Sequence, residues 1–179
     1  MLKCLIIISL LNSIVINAQF NSLYVGGFIG GGNIQSNSPS QFCLSTSVFV
    51  GSSTVFFEKF SFRMGYIYAR KINYFLPENR DNKYYPYIHS INLKGITNQS
   101  IGSNLFLEEG IGFALLNDRI FKDIDEFSFG LSFSAMIGWD MREINNTGLR
   151  LGINAEFTQT FTNTTASFYL LTFQTIYYL

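Results

Sequence analysis

The chain has 179 residues with 12 basic and 12 acidic side chains, one histidine, 13% charged, 17% aromatic and 47% hydrophobic residues. Balanced charge leaves no electrostatic footprint for nucleic acid, and 13% charged is well short of the roughly 25% usual in soluble domains. With a mean hydropathy of +0.20, this composition suits a protein whose outside is apolar.

The N-terminus carries a basic residue at Lys3, an apolar run from Leu5 to Ile16, and Ala18 followed by Gln19. This pattern predicts a secretory signal peptide over residues 1–18, cleaved after Ala18, and a mature domain over 19–179. The apolar run is shorter than the roughly 20 residues of a transmembrane helix, and no later segment supplies one. Cys4 should leave with the signal, so Cys43 stands alone and no intramolecular disulfide staples the mature domain.

Strand-like runs follow. Leu23 to Ile34 is rich in glycine, which means either close backbone approach where a barrel closes or a flexible start to the domain. Cys43 to Phe57 opposes Phe49 to Val48 and Val50, and a bulge near Gly51 is expected. In Phe60 to Tyr74, the residues Phe60, Phe62, Met64, Tyr66 and Tyr68 share one face, with Ser61, Arg63, Gly65, Ala69 and Lys71 mostly opposite. Tyr84 to Thr97 and Ser103 to Leu116 flank a short break at Asn98. The latter puts Leu105, Leu107, Ile111, Phe113 and Leu115 on one face together with Glu109. Either Glu109 lies near an interface or a bulge turns it inward, and a bulge or register shift is the favoured reading.

Phe127 to Trp139 is the cleanest run. Its Phe127, Phe129, Leu131, Phe133, Ala135, Ile137 and Trp139 alternate with serine, glycine and Met136. Such length exceeds the usual soluble strand and suits a tilted crossing of a hydrocarbon layer. In Gly148 to Phe161, Leu149, Leu151, Ile153, Ala155 and Phe157 point one way while Arg150, Asn154 and Glu156 point the other. The last strand offers Tyr169, Leu171, Phe173, Thr175, Tyr177 and Leu179 as an outer row.

Longer polar breaks at Gln35 to Gln41, Pro77 to Lys83, Asn117 to Asp125 and Asn163 to Thr165 alternate with shorter ones near Glu58, Asn98 to Gly102 and Arg142 to Thr147. The pattern predicts an all-β fold, an eight-stranded antiparallel up-and-down transmembrane β-barrel, with both termini in the periplasm. Its surroundings would be membrane lipids and lipopolysaccharide, and its insertion would use the barrel-assembly machinery. A soluble, lipocalin-like exported barrel is the rival, with apolar residues inside rather than out.

Three stretches carry a family resemblance: Lys59-Phe60-Ser61-Phe62-Arg63, Asn104-Leu105-Phe106-Leu107-Glu108-Glu109-Gly110-Ile111-Gly112, and Thr147-Gly148-Leu149-Arg150-Leu151-Gly152. They resemble the outer-membrane β-barrel domain proteins of Bacteroidetes, sometimes called PorT-like. The resemblance implies a fold and an outer-membrane location, and no activity.

Candidate site residues fall into two groups. Arg63, Lys94, Glu108, Asp140, Arg150 and Glu156 all take lumen-facing parity, three cations and three anions that predict a salt-bridge network filling the barrel. Tyr85, Tyr87, Trp139, Tyr169 and Tyr177, with Tyr84 and Tyr178, lie near strand ends and predict an interfacial aromatic girdle, Trp139 and Tyr177 marking its periplasmic side. No catalytic residue, metal ligand or cofactor is assigned. The rival function is a lipid-modifying hydrolase of the lipid A deacylase type, which needs His89 and Ser90 on one face. Adjacent strand residues point to opposite faces, which argues against it. Gly30-Gly31-Gly32 has no following helix N-terminus or lysine to make a phosphate loop. An extracellular partner would have to meet the longer loops.

Overall fold

The computed structural model describes residues 20–54, 59–76, 84–123, 125–142, 147–163 and 165–179. The segment read as a signal peptide and the Pro77 to Lys83 break lie outside them. Eight strands follow one another in the order β1 (Phe20–Ser36), β2 (Ser38–Thr54), β3 (Phe60–Lys71), β4 (Tyr87–Ser100), β5 (Leu105–Arg119), β6 (Glu126–Arg142), β7 (Gly148–Thr160) and β8 (Ser167–Tyr178). Each pairs antiparallel with its sequence neighbours and β8 returns to β1, so the sheet closes as an up-and-down barrel. Closure gives both sides of every strand a partner. That matters for a chain whose single cysteine among the described residues is an unpaired, buried Cys43.

The registers set the shape. Paired Cα positions run from Val25 through Val50, Met64, Leu93, Phe113, Leu131, Gln159 and Ser167 to Gln35, 10 residues further along β1. With about 3.3 Å of rise per residue and about 4.8 Å between strands, this stagger tilts the strands by about 40°. The start of β1, the end of β8 and the connections β2–β3, β4–β5 and β6–β7 share one end, called the terminal end. The other connections make the loop end.

Several sequence expectations are corrected. Gln35 to Gln41 is not a loop, because β1 runs to Ser36 and β2 begins at Ser38. The register shift between Ile34 and Ser36 falls opposite Pro39, where a missing N–H is tolerated. Likewise β5 continues through Asn117 to Arg119. The third strand stops at Lys71 and passes into a 3-10 turn, Ile72–Phe75. No bulge occurs at Gly51, since β2 pairs without a shift from Ser53 to Cys43 against β3. Phe49 points inward as an ordinary member of its row and is buried.

Glu109 is not turned inward either. It pairs in unbroken register with Thr97 and Ala135 and is exposed on the outer face. The glycines of β1 belong to a fully paired strand rather than a flexible start. A Cβ on Gly32 would run into the carbonyl oxygen of Tyr169, so the seam between β1 and β8 needs glycine for close approach.

Inside, side chains stack in layers. Toward the loop end Phe28, Ile34, Cys43, Ile67, Ile88, Leu116, Phe168 and Leu170 form one apolar cluster. Toward the terminal end Tyr24, Phe49, Phe106, Met136, Ile176 and Tyr178 form another. Charged and amide side chains occupy the level between.

Candidate functional site

The middle layer is built from four strands. Arg63 on β3 reaches across to Glu108 on β5, Nη1 to Oε1 at 2.6 Å, with side chains 5% and 3% exposed. Lys94 on β4 donates to Oε1 of Glu156 on β7 at 2.5 Å. Ser132 donates to the same oxygen at 2.8 Å, and Thr158 donates to Ser132 at 3.0 Å. The Arg63 guanidinium also lies 4.4 Å from the Phe49 ring centroid and 5.3 Å from that of Tyr24. Two desolvated pairs are thus held between apolar layers, where each charge has an opposite partner and the local dielectric is low. The enclosed space among Arg63, Asn92, Lys94 and Gln174 is about 10 Å³, roughly room for one water.

A third charged group closes the terminal end. Asp140 on β6 accepts from Arg150 Nη2 at 2.7 Å and from Arg142 Nη2 at 2.8 Å. Arg150 also donates to Asn98 Oδ1 at 2.9 Å and to the Tyr178 hydroxyl at 3.1 Å. All six lumen residues of the sequence reading therefore face inward, as three opposite-sign contacts. Sequence reasoning missed Arg142 and, at the loop end, Asp118, which is fully buried and accepts from Ser36 Oγ at 2.5 Å and from the Ile120 backbone N–H at 2.9 Å. The parity of β5 and β6 carried the signal for both, since Asp118 follows Glu108 and Arg142 follows Asp140 by even steps.

The outer face is read by height. Each residue along a strand climbs about 2.5 Å, and each step from one strand to the next along a paired row climbs about 3 Å toward the loop end. On that scale Trp139 and Tyr177 lie within about 1 Å of each other near the terminal end, Tyr169 about 21 Å higher and Phe129 about 25 Å higher. Between these limits the outer face carries exposed Val25, Ile29, Leu44, Val48, Val50, Phe62, Met64, Ile91, Leu93, Ile111, Phe113, Phe133, Ile137, Ile153, Phe157, Leu171 and Phe173, with Thr46, Thr97 and Glu109 among its exposed polar positions.

Three of the five girdle residues in the sequence reading lie on the two rims. The others are corrected. Tyr85 is buried at 9% exposure, and Tyr87 stands about 29 Å above Trp139. Tyr178 points into the lumen. Tyr68 and His89 take the upper rim instead, their ring centroids 5.1 Å apart, with Tyr66 hydrogen-bonded to His89 Nδ1. Above them the Tyr84 hydroxyl donates to the Arg119 carbonyl, and burial followed by the neighbouring Tyr87 raises the Tyr84 phenol above its ordinary pKa.

His89 lies on the outer face and Ser90 is fully buried inside, so the barrel wall separates them. Among the described residues no cluster of three or more His, Cys, Asp or Glu side chains could hold a metal ion.

No protein-family model matches the sequence, and no curated protein matches it. Solved structures do. Neisserial surface protein A matches at 14% identity and a TM-score of 0.68, over 87% of this chain and 96% of that one. The N-terminal β-barrel domain of Pseudomonas aeruginosa OprF matches at 10% identity and a TM-score of 0.54, over 89% and 98%. Ail, the attachment invasion locus protein of Yersinia pestis, matches at 8% identity and 0.51, over 88% and 98%. At these identities the similarity is one of fold, the closed eight-stranded antiparallel barrel.

Proposed function

We propose that the chain is a small integral outer-membrane barrel with a side-chain-filled lumen, both termini in the periplasm, and a structural or interaction role exercised from its loop end. The observation that carries this reading is the outer belt. Exposed apolar side chains on all eight strands form a band about 25 Å tall, the height such barrels present to lipid, broken near the terminal end by Thr97 and Glu109. Trp139 and Tyr177 rim one side, Tyr68, His89 and Tyr169 the other. A soluble lipocalin-like barrel would reverse these faces.

Lipopolysaccharide and phospholipid are then the solvent of the outer face, and delivery passes through the barrel-assembly machinery. The longest connection, between Lys71 of β3 and Tyr87 of β4, lies at the loop end and supports the orientation, while the PorT-like resemblance supports the outer-membrane location. The test is extraction of membranes from cells expressing the full chain. Release only by detergent, with an unheated gel band of distinct mobility, is expected. Recovery in buffer without detergent overturns the membrane reading.

A further inference from the structure

Among the described residues, Glu109 is the one charged side chain on the outer face between the height of Trp139 and that of Tyr169. It is exposed, and no cation among the described residues pairs with it. It lies about 7 Å above Trp139, within the terminal-end part of the belt. The neighbouring β4 is polar here as well, Thr97 and Gln99 both being exposed, and Thr97 Oγ1 donates to the Glu109 carbonyl at 3.4 Å.

Next to the carboxylate the wall is hollowed. The paired row Glu109, Ala135, Ala155 climbs from β5 to β7, and its two alanines form the floor of a depression of about 330 Å³ between Phe133, Phe157 and Tyr169. The rings of Phe133 and Phe157 are stacked with centroids 6.5 Å apart, giving it a rigid upper wall. The depression therefore rises from a carboxylate near one rim into the middle of the belt.

We infer that this is a seat for one phospholipid of the terminal-end leaflet carrying a primary ammonium headgroup, the ammonium held by Glu109 and one acyl chain laid over Ala135 and Ala155. Charge complementarity selects the headgroup. An unpaired carboxylate in the belt is costly and needs a cation, and phosphatidylethanolamine-type lipid brings a hydrogen-bonding one. Thr97 and Gln99 lie on the rim side of Glu109 and give the headgroup a polar path to the interface. The inference rests on the membrane reading above.

The test is native mass spectrometry of the purified barrel exchanged from detergent against phosphatidylethanolamine, phosphatidylcholine and phosphatidylglycerol of identical acyl chains. Wild type is expected to retain one phosphatidylethanolamine about threefold over either competitor, the size of a partly exposed ion pair. Glu109→Gln should equalise the three lipids. Ala135→Phe, which fills the hollow and keeps the charge, should lower retention of all three. Lipid retained without headgroup preference, or a preference that survives Glu109→Gln, overturns the lipid seat and leaves the membrane reading intact. A dimer lost in Glu109→Gln would assign the hollow to a second copy and overturn it too. A monodisperse barrel in detergent-free buffer that retains no lipid overturns the membrane reading itself.

Discussion

Glu156→Gln removes one charge from the best-satisfied pair in the lumen. Glu156 and Lys94 are 2% and 4% exposed, and the carboxylate Oε1 accepts both the Lys94 ammonium and the Ser132 hydroxyl. Losing one partner of a buried ion pair costs about 3–5 kcal/mol, because the other is left desolvated. Glutamine keeps an acceptor for Ser132, which places the expected loss at about 3 kcal/mol, or roughly two decades in the folded-to-unfolded ratio. The double variant Lys94→Met, Glu156→Met removes both charges, while the Thr158 to Ser132 hydrogen bond can remain. It should fall within about 1 kcal/mol of wild type. Reversible urea unfolding in lipid vesicles measures both, followed by the emission of Trp139, the chain's single tryptophan, and by gel mobility. A loss below about 1 kcal/mol for Glu156→Gln would mean that water screens Lys94, as at a surface pair. The filled lumen would then be wrong.

Other consequences can be checked directly. Gly32→Val puts a side chain against the Tyr169 carbonyl at the β1–β8 seam, so the variant should fail to give the folded gel band, while Asn33→Val on the outer row should give it. In planar bilayers the purified protein should show no steady conductance, since apolar clusters close the lumen above and below the charged layer, and a stable open state would contradict that packing. Expression should leave the mass of lipid A unchanged, and His89→Ala should make no difference, because the wall separates His89 from Ser90; a mass shift abolished by His89→Ala would revive the hydrolase.

Legibility varied with the contrast between the two faces of each strand. In β6 every outward position is apolar and in β7 every one but Gln159, while most inward ones are small or polar, so both strands and their orientation were readable from period two alone. The β1–β2 hairpin was hidden because it rises beyond the belt, where Gln35 and Ser40 face outward and Ser36 inward. With no hydrophobic contrast the stretch looks like a loop. At Phe49, and again at Ile67, Ile88, Leu116 and Leu170, apolar side chains fill the lumen of a narrow barrel, so both faces become apolar and the alternation weakens. The misplaced bulge at Gly51 came from that. The inward parity of the six charged residues was legible, but not their pairing. Arg63 meets Glu108 across β4, and Lys94 meets Glu156 across the lumen, because a stagger of 10 residues sets which levels coincide. Glu109 breaks the alternation because a carboxylate occupies an outward position in unbroken register with Thr97 and Ala135, which period two alone reads as a bulge.

Trp139 offers the most direct test of the membrane-spanning belt. The residue is 60% exposed on the outer face, about 12 Å from the middle of the apolar belt toward the terminal end. In vesicles of lipids brominated at defined depths, its fluorescence should be quenched most strongly by bromines high on the acyl chain, near the headgroup, and weakly by bromines at the chain end. Emission that no brominated lipid quenches would place the belt in water and contradict the account.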